Sequence, residues 1–584
     1  MSNNLEPIYT VKNNCQDCYK CVRNCPVKAI RIEAGHAMVI PEMCIYCGKC
    51  VEVCPTKAKK VRDDLGRLKL LIETNKKIII SLAPSWKSEF KNIDASQIIK
   101  ALKSFGIFGV SETALGAQEV SAQIAKILPE YKNGIMVSSA CPSIVAYIKK
   151  YMPQHTNKIS QLMSPLLAHS KMLKALYGED ISVVFFGPCI AKKLEADENP
   201  DILSLALTFE DLRELLEERN VDLKTIEVDA CEHFIPELSE EGGVYPIEGG
   251  MIETIRSYLS TDYYMFPVSG TLALRRELEG YEEATNSLCP TTFIEGLACY
   301  GGCINGPCTS HCNNGITGRL DILSKAKMKT RESKIDLTKE YSPSALSFMN
   351  PDEETIKEAL ASIGKHSKDD ELNCGGCGYN NCRSFAKALI DGRAESEMCV
   401  SFMRKQAMKK ANAIIKSIPA GIVVINDSMQ IIEHNHKFSE MFPPLNMPEG
   451  YAAANLEGMH LKAVLPMTDM FKTVLATGED LKRENFRIDG KLYDITVFTI
   501  NPNLIIGGII QDVTRMQMRR DQIAKRASEV IAKNLSTVQN IACTLGEHMA
   551  ETEMLLRSIA EDFGTNEKSQ VQVFNPNKKN TPKD

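Results

Sequence analysis

The spacing of hydrophobic positions divides the chain into two differently built parts. Residues 77–330 alternate short apolar runs with amphipathic segments, which predicts an α/β domain of parallel strands joined by helices. After a helical segment at 404–418, shorter runs predict an antiparallel sheet, with Asn426-Asp427 and Asp489-Gly490 as turns. The predicted strands here are AGIVVIND, QIIEHNHKF, ENFRID, KLYDITVFTI and LIIGGIIQDVTR.

Residues 515–562 contain no proline and carry a hydrophobic stripe. Apolar residues recur every seven positions and again four positions after each, which is the spacing of a heptad seam. Such a helix pairs with a second copy or packs on the preceding domain, and we favour the homodimer. The stripe consists of Ile531, Leu535, Val538, Ala542, Leu545 and Met549.

Composition places the domain boundaries. The charged segment 56–76 predicts a connector, and the polar residues 340–370 predict a linker that carries one helix. The tail after about residue 575 is expected to be disordered. The predicted domains are residues 1–75, 76–340, 341–403 and 404–514, followed by a helix and tail at 515–584.

Charge and hydropathy exclude two kinds of partner. The 584 residues include 69 Lys+Arg and 74 Asp+Glu, so we expect no basic surface for nucleic acid. The N-terminus lacks a signal sequence and no apolar run is long enough to span a bilayer, so we expect no membrane association and a cytoplasmic location. The 21 cysteines of such a chain indicate metal ligands rather than disulfides.

The first eight cysteines form two copies of the spacing C-x2-C-x2-C-x3-C-P. This is the bacterial two-cluster ferredoxin pattern, in which the fourth cysteine of each copy ligates the other cluster. Two zinc sites are the alternative, but zinc does not need this crossed arrangement. We name Cys15, Cys18, Cys21 and Cys54 the first ferredoxin set and Cys25, Cys44, Cys47 and Cys50 the second, and expect a 4Fe–4S cluster in each.

Another four cysteines follow the spacing C-x2-C-x4-C-x16-C. Gly375, Gly376 and Gly378 let the backbone wrap closely around a cluster, and SFAKALIDGRA predicts a helix that returns the last cysteine. The pattern resembles a small 4Fe–4S domain of several redox enzymes, and a Cys₄ zinc site is the alternative. We name Cys374, Cys377, Cys382 and Cys399 the small-domain set.

Three loops of the α/β segment carry cysteines directly after apolar runs. Loops after parallel strands are where α/β folds bind ligands, so four thiolates from these loops predict a further cluster. Cysteines this far apart in sequence are also common as core residues. The loops read SSACP at 138–142, GPC at 187–189 and CYGGC at 299–303.

These loops resemble the signatures of iron–iron hydrogenases, T-S-C-C-P, M-P-C-x-x-K-x-E and E-x-M-A-C-x-x-G-C-x-x-G-G-G, in the same order. The matching text is SSACP, GPCIAKKLE at 187–195 and EGLACYGGCING at 295–306, with SLAPSW and GGMIET as flanking similarities. The resemblance implies an H-cluster, which is a 4Fe–4S cluster joined to a two-iron subsite with CO, cyanide and a dithiolate. It implies as cluster ligands Cys141, Cys189, Cys299 and Cys303.

The same resemblance assigns two further roles. Cys303 would bridge to the two-iron subsite, and Lys192 would donate to one of its cyanides. An ammonium that donates to an electron-rich acceptor in a dry pocket forms a charge-assisted hydrogen bond.

Several departures from the signatures affect the pocket. Ala140 replaces the cysteine that relays protons in the family, and alanine has no ionisable proton. A positioned acid–base group is typically worth 10²–10⁴-fold in rate, so we expect slow turnover. Gly187 and Leu297 replace two methionines, and Gly306-Pro307-Cys308 replaces three glycines.

The candidates for a substitute proton route are Cys231, Glu248 and Glu253, although a buried thiol or a surface acid is the simpler interpretation. Cys289, Cys308 and Cys312 have no assigned role and are expected to be core or loop thiols.

The region 404–514 resembles a PAS sensor domain, with Asn435 at a position where that family often has asparagine. Haem, for which His434 and His436 are candidate ligands, and flavin are the alternatives, but we favour a domain without cofactor. No kinase, cyclase or DNA-binding module follows, so an output would require a separate protein.

Three functions are compatible with these patterns. The favoured one is a hydrogen-sensing hydrogenase of low turnover, which converts H₂ and oxidised acceptor to protons and reduced acceptor and signals through the PAS domain. The others are a competent hydrogenase with a non-standard proton path, and a non-enzymatic iron–sulfur assembly or carrier protein. Expected partners are H₂, an electron carrier such as ferredoxin, a kinase or phosphatase, and hydrogenase maturation proteins.

Overall fold

The structure is a computed structural model with two compact units, residues 1–405 and 406–584. None of its described helices is both long and apolar enough to cross a bilayer. The described residues are 6–74, 77–131, 134–228, 232–284, 290–310, 315–324, 335–348, 350–444 and 455–562.

The chain begins with two small antiparallel strand pairs, β1 with β4 and β2 with β3. The prediction of a connector at 56–76 was wrong, because a strand and a helix form there. The helix buries Leu65 and Leu68 in the core of the next domain, a contact that its local charge does not reveal. The elements are β1 Ile8–Thr10, α1 Lys20–Asn24, β2 Ile30–Glu33, β3 His36–Val39, α2 Lys49–Glu52, β4 Lys59–Val61 and α3 Leu65–Glu73.

The α/β architecture predicted for the middle of the chain is confirmed, but its strands divide between two parallel sheets. One sheet has the order β6-β5-β8-β9 and the other β10-β11-β7. The strands are β5 Ile78–Leu82, β6 Gly109–Glu112, β7 Ile135–Val137, β8 Ser182–Gly187, β9 Leu205–Thr208, β10 Tyr264–Ser269 and β11 Thr292–Leu297. The helices are α4 Trp86–Glu89, α5 Ala95–Ser104, α6 Ala114–Ile127, α7 Pro142–Tyr151, α8 Pro165–Tyr177, α9 Ala191–Glu198, α10 Phe209–Glu218, α11 Gly250–Arg256, α12 Thr271–Ala284 and α13 Ile316–Leu323.

The small-domain cysteines lie in a helical segment that completes the first unit. The single helix predicted within the linker is confirmed as α14, and the helix predicted before the last cysteine as α15. Phe385 and Met398 of this segment are buried in one hydrophobic core with Ile45 of the ferredoxin part and Ile144 of the middle domain. The helices are α14 Glu353–Ser362, α15 Cys382–Ile390 and α16 Val400–Ser417, the last of which continues into the second unit.

The second unit contains a five-stranded antiparallel sheet of order β13-β12-β16-β15-β14. The predicted strands are confirmed, and the Asp489-Gly490 turn joins β14 to β15 with both residues at positive φ. The elements are β12 Gly421–Asn426, β13 Ile431–His434, α17 His436–Met441, α18 Asp469–Thr477, β14 Leu481–Ile488, β15 Lys491–Asn501, β16 Ile505–Asp512 and α19 Thr514–Asp562.

Candidate functional site

The cysteine loops of the middle domain follow three parallel strands. Cys141 follows β7 and precedes α7, whose first residue is Pro142, a residue favoured at this helix position. Cys189 follows β8, and Cys299 and Cys303 follow β11. Because β7 and β11 pair in one sheet and β8 lies in the other, ligands from both sheets meet at the carboxyl ends of their strands.

All four of these cysteines line one small cavity of about 30 Å³, which we name the cluster cavity. Burial raises the pKa of Cys189 to about 11, and burial with repulsion from neighbouring thiolates raises the pKa of Cys299 and Cys303 further. Without a positive centre these thiols therefore stay protonated at neutral pH. Bound iron would stabilise the thiolates, so cluster insertion would release protons.

The donor set fits a 4Fe–4S cluster better than zinc. Zinc holds four ligand sulfurs at about 2.3 Å, which brings them close together. Among the described residues, no group of three or more His, Cys, Asp or Glu side chains is close enough to hold a single metal ion. The loop also requires glycine, since Gly302 has φ +104° and a Cβ there would lie 2.3 Å from the carbonyl oxygen of Pro246.

A second cavity of about 110 Å³ adjoins the cluster cavity, and we name it the subsite cavity. Cys303 lines both cavities, as do Cys141 and Cys189. The wall is mainly apolar, so a group bound there would be largely shielded from water. Residues of this wall include Ala83, Pro84, Leu166, Phe185, Met251 and Leu297.

Lys192 places a charged group at the subsite cavity. Its Nζ donates to Glu195 Oε2 at 2.6 Å and to Ser164 Oγ at 3.1 Å, and the side chain is buried. An ammonium has three N–H donors, and the contacts found within the described residues use two of them. One donor therefore remains for an acceptor in the cavity.

The substituted positions of the signatures also line or border this cavity. Ala140 is half-buried there, and its backbone N–H donates to Ser138 Oγ at 3.1 Å. The ring of Phe185 occupies the space beside Gly187, where an added Cβ would lie 2.2 Å from the ring. A methionine at 187 would therefore clash unless Phe185 moved. Phe185 and Leu297 therefore keep the wall apolar in place of the two methionines of the signatures.

Glu295 is a buried acid that the sequence reasoning left without a role. It lines the subsite cavity, and its two oxygens accept from the backbone N–H groups of Met251 and Ile252 at 3.4 and 3.5 Å. Burial raises its pKa to about 8, and repulsion from Glu248 adds to the effect. The carboxyl therefore carries a proton at neutral pH. The sequence feature that could have indicated a role for Glu295 is its position as the first residue of the third signature.

The three candidates for a substitute proton route have different positions. Glu248 accepts from Ser269 Oγ at 2.7 Å and pairs with Arg319 at 3.1 Å, and it is partly exposed. Glu253 is exposed and pairs with Arg256 at 3.4 Å, so the structure does not place it at the subsite cavity. Cys231 lies outside the described residues.

The second ferredoxin set lines a cavity of its own, of about 20 Å³. Backbone N–H groups donate to two of its sulfurs, from Ala29 to Cys25 and from Tyr46 to Cys44, both at 3.3 Å. Such bonds stabilise thiolates and tune a cluster's potential. In the first set, Ala37 and Ala58 donate in the same way to Cys15 and Cys54.

The remaining cysteines behave differently. Cys308 is fully buried among apolar residues, as expected for a core thiol. Cys543 is exposed on α19. Cys289 and Cys312 lie outside the described residues.

In the second unit, Asn435 is a structural residue. Its Oδ1 accepts from the N–H groups of Ile422 and Phe438, and its Nδ2 donates to the carbonyl of Ala420 at 2.8 Å. The two nearby histidines have other partners. His434 Nε2 accepts from the N–H of Leu456 at 3.0 Å, and exposed His436 pairs with Glu440.

The helix predicted at 515–562 is confirmed as the single helix α19. The apolar stripe residues remain exposed, for example Val538 at 62% and Met549 at 69%. The homodimer stays a prediction.

Three protein families match separate parts of the chain. A 4Fe-4S dicluster domain matches residues 7–55, the C-terminal domain of the iron-only hydrogenase large subunit matches residues 76–285, and a putative Fe-S cluster family matches residues 370–401. The chain is therefore hydrogenase-like in its middle domain and carries ferredoxin-type and further iron–sulfur domains.

Curated relatives are distant. Iron hydrogenase 1 of Clostridium pasteurianum is 22% identical over 42% of this chain and 52% of its own length. Protein NAR1 of Arabidopsis thaliana is 23% identical over 39% of this chain and 58% of its own length. The periplasmic [Fe] hydrogenase large subunit of Nitratidesulfovibrio vulgaris is 24% identical over 50% and 83%. The chain thus spans little more than half the length of the first two relatives.

Solved structures also resemble parts of the chain. An [FeFe]-hydrogenase from Chlamydomonas reinhardtii is 15% identical, with a TM-score of 0.38 over 49% of this chain and all of that one. The PAS domain of nitrogen regulation protein NR(II) from Vibrio parahaemolyticus is 14% identical, with a TM-score of 0.15 over 18% of this chain and 96% of that one.

Proposed function

We propose that this protein is a hydrogen-sensing iron–iron hydrogenase of low turnover, which passes a redox signal from its hydrogen site to a PAS domain and a separate output protein. One observation carries the proposal. The subsite cavity keeps Cys303 and Lys192, which would hold a two-iron subsite, but has Ala140 in place of an acid–base group. A site that binds its cofactor but exchanges protons slowly is suited to detection rather than bulk conversion.

The bound H-cluster would supply reversible splitting of H₂ into two protons and two electrons. Cys141, Cys189, Cys299 and Cys303 would hold the cluster, and Lys192 would donate to an anionic ligand of the subsite. The wall formed by Phe185, Leu166 and Leu297 excludes water, which strengthens the Lys192 interaction by lowering the local dielectric constant.

Protons need a route that does not involve residue 140. Glu295 lines the subsite cavity and is protonated at neutral pH, and Glu248, which raises its pKa, is partly exposed. Glu295 can therefore exchange a proton with a group in the cavity, and the partly exposed Glu248 would relay that proton towards solvent. The two electrons from each H₂ would reduce iron–sulfur clusters, one electron per cluster.

Infrared spectroscopy tests the presence of the two-iron subsite. Protein produced with hydrogenase maturation proteins is expected to show CO and cyanide stretching bands that shift when H₂ is added. A sample with complete iron content and no such bands would exclude both a sensing and a fast catalytic hydrogenase.

Replacing Glu295 by glutamine is expected to lower turnover about tenfold or more, because the amide cannot exchange the proton. In the unchanged protein, hydrogen production should decline as pH rises through about 8, whereas hydrogen oxidation should increase, since Glu295 must then accept a proton. Both inflections should disappear in the variant, as measured by rate against pH in each direction. A larger loss in Glu253→Gln would instead place the route at the exposed face of α11.

The raised pKa of Glu295 also predicts a stability effect. Its folded value of about 8 exceeds the ordinary value of 4.5, so the folded state loses stability as pH rises from 4.5 to 8. Glu295→Gln should remove part of this dependence in thermal unfolding.

A second candidate is a non-catalytic iron–sulfur protein, supported by the similarity to Protein NAR1. In that case the clusters would be present without the two-iron subsite. The infrared bands distinguish the two, because only the hydrogenase requires CO and cyanide.

Signal output would pass through the second unit. The β12–β16 sheet would sense the redox change, and α19 would transmit it through the exposed stripe, as a homodimer or by binding a kinase or phosphatase. A candidate enzyme whose activity is the same with and without H₂ in the presence of this protein would not be its output partner.

A further inference from the structure

The small-domain set lies against the ferredoxin part of the chain. Gly378, next to Cys377, has φ +94°, and an added Cβ would lie 3.1 Å from Val22 Cγ1 and 3.2 Å from the backbone nitrogen of Arg23. On the same side, the N–H of Ile32 donates to the carbonyl of Arg393 at 3.3 Å. The positive φ and the close approach both favour glycine, and the Cys377 loop packs directly on α1.

Lys28 lies just after α1, where its backbone N–H donates to the carbonyl of Cys25 of the second ferredoxin set at 3.4 Å. Its Nζ donates to the carbonyls of Val22 and Arg23, both at 3.1 Å, which fixes the ammonium at the end of α1. Burial lowers its pKa, and the negative thiolates of Cys25 and Cys377 act in the opposite direction. One cation is thus within electrostatic range of both sets.

Two further cationic side chains, Arg393 and Lys387, line a cavity that Lys28 also lines. Arg393 donates to Asp391 through Nη2 at 2.6 Å and Nε at 3.2 Å. Lys387 lines the same cavity of about 410 Å³, toward Asn350. Within the described residues, the contacts found for Lys28 are carbonyls rather than carboxylates, so its charge is not neutralised by an acid.

The second ferredoxin set also adjoins the cluster cavity, which is part of the proposed hydrogen site. Cys47 lines both its own cavity and the cluster cavity. Gly48 approaches Pro307 so closely that an added Cβ would lie 2.4 Å from the Pro307 Cβ. The second set therefore adjoins the cluster cavity through Cys47, and its Cys25 directly follows α1, the helix on which the Cys377 loop rests.

We propose that the second ferredoxin cluster is an electron junction between the hydrogen site and the small-domain cluster, and that Lys28 is the positioning residue that couples the junction to the small-domain cluster. One electron passes from the reduced junction cluster to the oxidised small-domain cluster, and no proton is required. Since Cys374 is exposed, the small-domain cluster is then an exit for electrons at the protein surface. The inference rests on the iron–sulfur part of the proposed function.

Redox titration of the loaded full-length chain, followed by electron paramagnetic resonance, tests this coupling. Lys28→Met is expected to make the second ferredoxin cluster and the small-domain cluster harder to reduce, because a positive charge is lost. At a fixed potential, the ratio of reduced to oxidised cluster should fall at least tenfold for each, which is a midpoint shift of 59 mV for a one-electron couple. Lys60→Met removes an exposed lysine of β4 and should leave all midpoints unchanged.

Spin coupling gives an independent measurement. The fully reduced protein should show broadened signals from two interacting clusters, and Cys374→Ala, which removes an exposed ligand, should sharpen the remaining one. Zinc in the small-domain set, or loaded Lys28→Met protein with unchanged midpoints, would overturn the inference. Missing CO and cyanide bands with the coupling intact would overturn the hydrogenase proposal alone.

Discussion

Cys303→Ala is expected to abolish hydrogen turnover, with the rate falling to assay background. Cys303 is the ligand that the family resemblance assigns as the bridge, and its side chain lines both the cluster cavity and the subsite cavity. An alanine would leave the two-iron subsite without its protein ligand. Dye-coupled hydrogen oxidation and infrared spectra measure the loss, and the CO and cyanide bands should disappear with the activity.

Cys308→Ala provides the matched control. Cys308 is five residues away and fully buried, and it lines neither cavity. Its replacement should cost some stability, about 1–2 kcal/mol from lost packing, but retain the infrared bands and turnover. Equal loss of activity in both variants would show that Cys303 acts only through folding.

The sequence predicted the cysteine loops because their signals are local. Each loop follows an apolar run, and parallel strands present their carboxyl ends to a common region, so Cys141, Cys189 and Cys299 could be expected to approach one another. The division of the strands between two sheets was not predictable, since strand pairing depends on contacts far apart in the chain. The α3 helix was missed for the same reason, as its Leu68 is buried against a later domain.

The proton chemistry could be predicted only in part. The missing ionisable group at Ala140 is visible in the sequence. The role proposed for Glu295 depends on its burial and on the nearby charge of Glu248, neither of which a motif records. Similarly, Gly187 looks like a loss of volume in the sequence, but the ring of Phe185 fills the space that a larger side chain would need.

Ala140→Cys is expected to raise hydrogen turnover by about 10²-fold, the lower end of the effect of a positioned acid–base group. Residue 140 is half-buried at the wall of the subsite cavity, so a side chain there borders the space that the two-iron subsite would occupy. A thiol there can give and take protons directly, without the longer route through Glu295. We expect the lower end of the range because the surrounding groups, including Ser138, remain unchanged.

Ala140→Ser separates proton transfer from size. Serine is similar in volume to cysteine but is a far weaker acid, so it should raise the rate much less. Initial rates of H₂ oxidation, normalised to the infrared intensity of the bound subsite, compare the three proteins. Equal rates in all three would place the limiting step elsewhere, for example in electron exit. A fast unchanged protein would remove the argument for sensing, because that argument depends on Ala140 being the reason that hydrogen is converted slowly.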